Sequence, residues 1–220
     1  MKIVFFGDSL TDMYRDRNST DPCEPFGYGM GYPAHIAAAL YSEDPMGYEI
    51  VNRGNGGNRV VDLYARVKSD VWNLKPDVLS ILIGVNDVWH DVINGNGVEI
   101  DRFEKVYKML IEDTLKALPD VKIILCEPFF TDGKATVDTP EIPNNHETFC
   151  KVYEYAKVVS RLAEEYGLPF LPLQEKFDLS GKKTDPKYYL YDGVHPAPAG
   201  AKLIADEWLK LFRQKILEKA

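Results

Sequence analysis

The chain opens with Met1-Lys2-Ile3-Val4-Phe5-Phe6-Gly7-Asp8-Ser9-Leu10, an apolar run that ends directly in a Gly-Asp-Ser-Leu turn. The run from Ile3 to Phe6 has no polar position, which is typical of a parallel strand covered on both faces. Similar runs recur along the 220 residues, and stretches with helical spacing separate them. This alternation of strand and helix predicts an α/β domain.

Five strands and five helices are predicted from these periods. The predicted strands are Ile3–Phe6, Tyr48–Val51, Asp77–Ile83, Val121–Leu125 and Leu168–Leu173, and the predicted helices span residues 29–42, 60–74, 100–118, 146–166 and 197–217. Prolines interrupt the last strand, so we expect it at a sheet edge. No repeat or composition shift divides the chain. We therefore predict one three-layer α/β/α domain over residues 1–220, with a five-stranded parallel sheet in the flavodoxin-like order 2-1-3-4-5.

Composition limits the partners and the compartment. The net charge is −8 and basic residues are scattered, which argues against nucleic acid and anionic membrane surfaces as partners. No apolar stretch approaches the ~20 residues of a membrane helix. The three cysteines lack CxxC spacing, which indicates free thiols in a reducing compartment, with Cys126 in the core. Because the first strand begins at once, no signal peptide is expected, and we predict a cytoplasmic protein.

Polar residues suited to acyl transfer follow the predicted strands. Ser9 follows the first strand, Gly57 the second and Asn86 the third, and Asp192 and His195 lie on the last loop before the terminal helix. In the order 2-1-3-4-5 the first three strands are neighbours, and right-handed crossovers bring their carboxyl ends to one edge. We therefore expect these residues to meet in one crevice.

Acyl transfer requires a nucleophile, a base, a group that orients the base and donors for the oxyanion, and each of these residues fits one of these roles. Ser9 is a weak nucleophile until a base takes its proton, and His195 is the natural base. Asp192, three residues earlier, can accept a hydrogen bond from Nδ1 and orient the ring. The backbone N–H groups of Ser9 and Gly57 and the side-chain amide of Asn86 can converge on the oxyanion of a tetrahedral intermediate.

Each motif also has a structural explanation when it is taken alone. Ser9 can cap a helix, the glycines of Asn52-Arg53-Gly54-Asn55-Gly56-Gly57-Asn58 can serve a turn, and Asn86 can bond its own backbone. Aspartates near the motifs suggest a metal site, but no cluster has ligand spacing, and we predict neither metal nor cofactor. The coincidence of four motifs at one sheet edge favours catalysis.

Together the motifs resemble those of the SGNH, or GDSL-type, hydrolase family, over Ile3 to Leu203. The family's four blocks are similar to Gly7-Asp8-Ser9-Leu10, the loop from Asn52 to Gly57, Gly84-Val85-Asn86-Asp87 and Asp192-Gly193-Val194-His195-Pro196. Asn58 stands where many members carry Asp, which affects support of that loop. The resemblance implies a carboxylic ester hydrolase with Ser9, Asp192 and His195 as its triad and Ser9, Gly57 and Asn86 as its oxyanion hole.

A narrower resemblance concerns the substrate. Gly29-Met30-Gly31-Tyr32, residues 51–66, Lys75-Pro76-Asp77 and the stretch from Ile83 to Trp89 are similar to the intracellular acetylxylan and xylo-oligosaccharide acetylesterases of this family. The resemblance implies an acetyl ester on a short plant-derived sugar chain. Some of those relatives form large homo-oligomers, so a homo-oligomer is an open alternative for this chain.

Two aromatic residues flank the predicted site. Trp89 lies three positions after Asn86, and Tyr191 directly precedes Asp192. Their rings can stack on a sugar, or they can simply pack beneath the loops. Residues 127–146 are rich in proline and charge without a period, and they fit either a lid over the site or a surface excursion.

Two rival functions stay open on sequence alone. A lysophospholipase or thioesterase of the same family needs a long apolar acyl channel, and no loop here is rich in aliphatic residues. A non-catalytic carbohydrate-binding module with a degenerate site belongs to a different functional class. No catalytic position is lost in this sequence, which favours an enzyme.

Overall fold

The computed structural model describes residues 1–19, 21 and 23–218. Its centre is a five-stranded, all-parallel sheet in the order β2-β1-β3-β4-β5, which confirms the predicted order. Strands β1 to β5 span Lys2–Gly7, Glu49–Gly54, Val78–Leu82, Lys122–Cys126 and Phe170–Leu171. Helices α1 to α9 span Ser9–Asp12, Tyr32–Glu43, Val60–Asp70, Val85–Asn94, Ile100–Ala117, Asn145–Cys150, Val152–Glu165, Gln174–Gly181 and Pro198–Phe212.

Helices cover both faces of the sheet, and neighbouring residues of β1 show which helix covers which face. Phe5 contacts Tyr32 of α2 and Trp208 of α9, with ring centroids 5.6 and 5.2 Å apart. Phe6 points the other way, and the guanidinium of Arg66 on α3 lies 4.4 Å from its ring centroid. Helix α3 packs on α5, and α5 packs on α7. Strand β1 is therefore buried on both sides, as its unbroken apolar run predicts.

The core consists of buried apolar side chains, and a buried polar group within it has a hydrogen-bond partner. Ile3, Val4, Phe5 and Phe6 are fully buried, and each such side chain contributes roughly 1.5–3 kcal/mol through removal of its surface from water. Cys126, at the end of β4, is also buried, as predicted. The buried indole of Trp208 donates from Nε1 to Ser80 Oγ at 3.0 Å, so this polar group is not left without a partner.

The register of the sheet brings three loops to one level. Gly7 at the end of β1 pairs with Gly54 of β2 and with Leu82 of β3. A Cβ on Gly7 would lie 2.3 Å from Thr11 Oγ1 and 2.5 Å from the carbonyl oxygen of Leu82, so only glycine allows the chain to turn here into α1. The three loops that carry the predicted site residues therefore leave the sheet side by side.

Several element boundaries differ from the predicted ones, each for a local reason. The predicted helix over residues 29–42 begins only at Tyr32, because Gly29 has a positive φ of 73°. The predicted helix over residues 146–166 is interrupted at Lys151, which separates α6 from α7. Strand β5 is reduced to Phe170–Leu171, because the prolines on either side lack the N–H that a ladder needs, and it lies at the edge as expected.

Candidate active site

Ser9, His195 and Asp192 form one continuous hydrogen-bonded chain. Ser9 Oγ lies 2.9 Å from Nε2 of His195, and Nδ1 of the same ring lies 2.7 Å from Oδ2 of Asp192. Residues 186 positions apart in sequence thus meet at hydrogen-bond distance. Within this arrangement the carboxylate fixes the tautomer that leaves Nε2 free to accept the serine proton.

The short helix α1 holds Ser9 at the end of β1. Asp8 precedes it as the N-cap, and its Oδ1 accepts a hydrogen bond from the backbone N–H of Leu10 at 2.9 Å. The helix ends after one turn at Met13, which has a left-handed φ of 37°, and Tyr14 follows with a φ of 62°. Such values are costly for large side chains and cluster at functional sites. They turn the chain so that Tyr14 stands exposed at the rim.

Asp192 supports both the turn and the imidazole. Its Oδ1 accepts the backbone N–H groups of Val194 at 3.0 Å and His195 at 2.7 Å, while Oδ2 faces the ring. Burial tends to raise the pKa of Asp192, but these hydrogen bonds and the nearby His195 outweigh burial and hold the pKa below its usual value. The carboxylate therefore stays charged throughout the neutral range.

The loop after β2 lies against the nucleophile. A methyl group on Gly56 would lie 3.9 Å from Cβ of Ser9, and Gly57 has a positive φ of 77° that favours glycine. Asn86 lies in the first turn of α4, a helix that was not predicted from the sequence, and its Nδ2 donates to the carbonyl oxygen of Asn58 at 3.1 Å. Asn86 and the Gly57 turn are thereby joined beside Ser9.

Two aromatic rings enclose the imidazole of His195. The Tyr191 ring stacks on it at 5.7 Å between centroids with an interplanar angle of 20°, and the Trp89 ring approaches at 5.7 Å with a tilt of 51°. Trp89 is partly buried and also packs on Phe149 at 5.5 Å, whereas Tyr191 is exposed at the rim. Both rings restrict rotation of the imidazole.

A cavity of about 540 Å³ opens over Ser9 and His195. Its remaining lining consists of Tyr191, Gly56 and the segment that begins at the end of α1, namely Asp12, Met13, Tyr14, Arg15 and Arg17. Sequence reasoning identified none of the residues in that segment as site residues. The signal was their position directly after the nucleophile turn, where a loop at the carboxyl edge of a parallel sheet contacts ligand.

Two buried carboxyl groups lie behind the nucleophile. Burial raises the pKa of Asp8 to about 7, against the hydrogen bond from Leu10, and its Oδ2 has no hydrogen-bond partner in the described part of the chain. Burial likewise raises the pKa of Asp87 to about 8, although both its oxygens accept from the N–H of Val60, at 3.0 and 3.2 Å. These groups take up protons near neutral pH, unlike Asp192.

The segment of residues 127–146 is tied to the loop that carries Asp192. The N–H of Thr131 donates to the carbonyl of Gly193 at 2.8 Å, and that of Ala135 donates to the carbonyl of Asp192 at 2.9 Å.

Within residues 1–19, 21 and 23–218, no group of three or more His, Cys, Asp or Glu side chains is arranged to hold a metal ion. None of the helices in these ranges has the length and apolar character to cross a membrane.

The chain is similar in sequence and in fold to known proteins. Residues 5–203 match the GDSL-like Lipase/Acylhydrolase family. The chain is 35% identical over 217 residues to an acetylxylan esterase of Geobacillus stearothermophilus, an alignment that covers 95% of this chain and 92% of the relative. The crystal structure of a Geobacillus stearothermophilus acetylxylan esterase superposes with a TM-score of 0.81 at 34% identity, over 96% of this chain and 93% of that one. The crystal structure of a GDSL-like protein of Parabacteroides merdae superposes with a TM-score of 0.86 at 35% identity. The superposition covers 97% of this chain and 96% of that one.

Proposed function

The chain belongs to the GDSL-like lipase/acylhydrolase family and is a carboxylic ester hydrolase, and we propose that it is a serine esterase whose catalytic triad is Ser9, His195 and Asp192. The hydrogen-bonded chain from Ser9 Oγ to His195 Nε2 (2.9 Å) and from Nδ1 to Asp192 (2.7 Å) carries the proposal. An alcohol, an imidazole and a carboxylate in this order are the parts of an activated nucleophile.

The reaction proceeds through an acyl-enzyme. As Ser9 Oγ attacks the ester carbon, Nε2 of His195 takes the hydroxyl proton, and the carbonyl electron pair moves onto oxygen. The tetrahedral intermediate collapses, the C–O bond to the sugar breaks, and His195 returns the proton to the departing alcohol. Water then attacks the acyl group with His195 again as base, and the carboxylic acid leaves while Ser9 regains its proton.

The developing oxyanion is held by the N–H groups of Ser9 and Gly57 and by Nδ2 of Asn86. The junction of Asn86 with the Gly57 turn through Asn58 supports this assignment, because it fixes the amide before substrate arrives. A preorganised donor of this kind stabilises the transition state by about 3 kcal/mol.

The substrate is an acetyl ester on a short carbohydrate such as a xylo-oligosaccharide. The Geobacillus relative is described as an acetyl-xylooligosaccharide esterase, and its alanine variants at one serine, one aspartate and one histidine are called catalytic mutants. The aspartate and histidine there are three positions apart, as Asp192 and His195 are. Tyr191 at the rim, with Trp89 behind the imidazole, is assigned to contact with the sugar.

The lining of the cavity argues against the lipid and thioester alternatives. Asp12, Arg15 and Arg17 stand beside the nucleophile, where a long acyl chain would require apolar walls. A chain-length series of p-nitrophenyl esters distinguishes the alternatives. The p-nitrophenyl ester of acetate should be cleaved far faster than that of octanoate, whereas a lysophospholipase or thioesterase would prefer the longer acyl chain.

The test of the proposal is Ser9→Ala beside Ser42→Ala, an exposed serine on α2. Ser9→Ala should lower the kcat for p-nitrophenyl acetate by about 10⁴-fold or more, with an unchanged melting temperature and no labelling by a fluorophosphonate. Ser42→Ala should behave as wild type in all three measurements. Wild-type turnover by Ser9→Ala would remove the assigned nucleophile, and an unlabelled wild-type protein would favour the non-catalytic binding module.

A further inference from the structure

Four arginines converge beside the catalytic cavity, at the carboxyl end of β2. Arg15 Nε donates to the carbonyl of Gly54 at 2.9 Å, and Arg66 donates to the carbonyl of Arg53, one residue earlier, at 3.0 Å. Arg17 lies two residues after Arg15 in the loop that follows α1, and both line the cavity over Ser9. In a chain of net charge −8, four arginine side chains are thus grouped at one place.

The arginines differ in what neutralises them. Arg66 pairs with Asp70 at 2.5 Å, and Arg17 pairs with Asp12 at 3.1 Å. The guanidinium of Arg53 makes no hydrogen bond or ion pair with any residue the structure describes, and its Nε is buried. A buried cationic donor without an acceptor is costly and rare in folded proteins, so it points to a ligand that the fold alone does not provide.

The immediate surroundings of Arg15 indicate the same missing partner. Burial lowers the pKa of Arg15, and the charges of Arg53, Arg17 and Arg66 lower it further, against the opposing effect of Asp12. Like charges held together in a partly buried site repel each other, and an anion bound between them would relieve that repulsion.

Two cavities adjoin at this cluster. Arg15 and Arg17 line the cavity over Ser9, while Arg15 and Arg53 line a second cavity of about 270 Å³. The second cavity also exposes Asp21 and Glu49; Glu49 is paired with Lys2 at 3.1 Å, and Asp21 accepts the N–H of Cys23. Arg15 is thus the side chain that the cavity over Ser9 and the cavity at Arg53 share.

We infer that Arg53, together with Arg15 and Arg17, forms an anion subsite that binds the carboxylate of a uronic acid residue on the acetylated saccharide. This inference rests on the proposed function, because it concerns the substrate of that same site. A planar carboxylate matches the fork of a guanidinium in a bidentate pair, and such pairs are the stronger, charge-assisted hydrogen bonds. The enzyme would then favour acetyl esters on acidic oligosaccharides over neutral ones.

The experiment compares two acetylated oligosaccharides that differ at one group, a uronic acid carboxylate and its carboxyl-reduced, neutral counterpart. For wild type we expect a kcat/KM ratio of acidic to neutral substrate of about tenfold or more at low salt, which falls in 0.5 M NaCl because charge pairing is screened. Arg53→Gln should bring the ratio close to one. Arg102→Gln, an exposed arginine paired with Glu99 on α5, is the matched control and should keep the wild-type ratio. A ratio is independent of the fraction of folded enzyme.

Binding provides a readout that does not depend on turnover. Calorimetric titration with the deacetylated acidic oligosaccharide should show binding to wild type and weaker binding to Arg53→Gln, with inorganic phosphate as the competing anion. A wild-type ratio near one, an unchanged ratio in Arg53→Gln, or tight phosphate binding without uronate binding would overturn the inference. If wild type cleaves neither saccharide nor p-nitrophenyl acetate, the proposed function itself fails. If it cleaves both saccharides equally, only the uronate subsite fails.

Discussion

Replacing Asp192 by asparagine and, separately, by alanine should separate two tasks of one carboxylate. Oδ1 accepts two backbone N–H groups, from Val194 at 3.0 Å and from His195 at 2.7 Å, and so holds the turn. Oδ2 accepts from the imidazole at 2.7 Å and so holds the tautomer. Asparagine preserves the first task and destroys the second, whereas alanine destroys both.

In Asp192→Asn the amide oxygen keeps the two backbone hydrogen bonds, but the NH₂ group faces Nδ1 of His195. The ring then carries its proton on Nε2 and directs it at Ser9, where a base should accept a proton. We expect kcat to fall by about 10³–10⁴-fold, as in other triads with the wrong tautomer. The loss of charge weakens two hydrogen bonds, and the free energy of unfolding should fall by only about 1 kcal/mol.

In Asp192→Ala both backbone N–H groups lose their acceptor in a buried turn. At about 1–3 kcal/mol for each unsatisfied donor, the free energy of unfolding should fall by roughly 2–6 kcal/mol. For a protein of this size that corresponds to a melting temperature lower by roughly 4–24 °C. Turnover should be at least as low as in Asp192→Asn.

Steady-state hydrolysis of p-nitrophenyl acetate and differential scanning calorimetry on the same preparations measure both effects. We expect a similar loss of kcat in the two variants and clearly different melting temperatures. If Asp192→Asn keeps more than a tenth of wild-type kcat, the tautomer argument is refuted. If both variants melt at the same temperature, the role of Oδ1 in the turn is refuted.

Three further outcomes are expected. Asn86→Ala should lower kcat by about 10²–10³-fold with little change in KM for p-nitrophenyl acetate; an equal change in both constants would contradict its role in the oxyanion hole. Asp87→Asn keeps an acceptor for Val60 but cannot ionise. Because folding raises the pKa of Asp87 to about 8, wild-type stability should fall relative to this variant as pH rises from about 4 to 8, in urea titrations at fixed pH; parallel curves would contradict the assigned pKa. Gly54→Ala places a Cβ 2.1 Å from the backbone nitrogen of Asp12 and should lower both stability, measured by thermal unfolding, and activity, and wild-type melting would show that the loop yields.

The order of the sheet was predictable because the sequence displays the hydrophobic pattern of the strands and the helices that alternate with them. Unbroken apolar runs such as Ile3–Phe6 indicate parallel strands, and the right-handed crossover leaves few ways to connect them. The helix at Val85–Asn94 was missed, because Gly84 and Asn86 carry turn chemistry and the helix begins in the middle of the motif. The interruption at Lys151 was missed because the apolar spacing continues through it.

The meeting of Ser9, His195 and Asp192 was predictable for a different reason, since each of these residues follows a strand or precedes the terminal helix. The arginine subsite was not predictable in this way. Arg15 and Arg17 look like ordinary solvated cations in sequence, and Arg53 follows the predicted strand Tyr48–Val51 in a glycine-rich stretch that was expected to form a loop. Only the pairing of β2 with β1 brings Arg53 beside the loop that carries the other two.

The level pairing of Gly7, Gly54 and Leu82 has a consequence for how new substrate preferences can arise. A one-residue insertion within any of those three strands would turn the later side chains of that strand to the opposite face of the sheet. It would thereby pull the reacting groups apart. Insertions beyond the strand ends, such as in residues 13–17, which line the cavity after α1, alter the walls of the cleft but leave the register intact. Variation in loop length is thus the route by which this scaffold can accept different alcohols while it retains one hydrolytic centre.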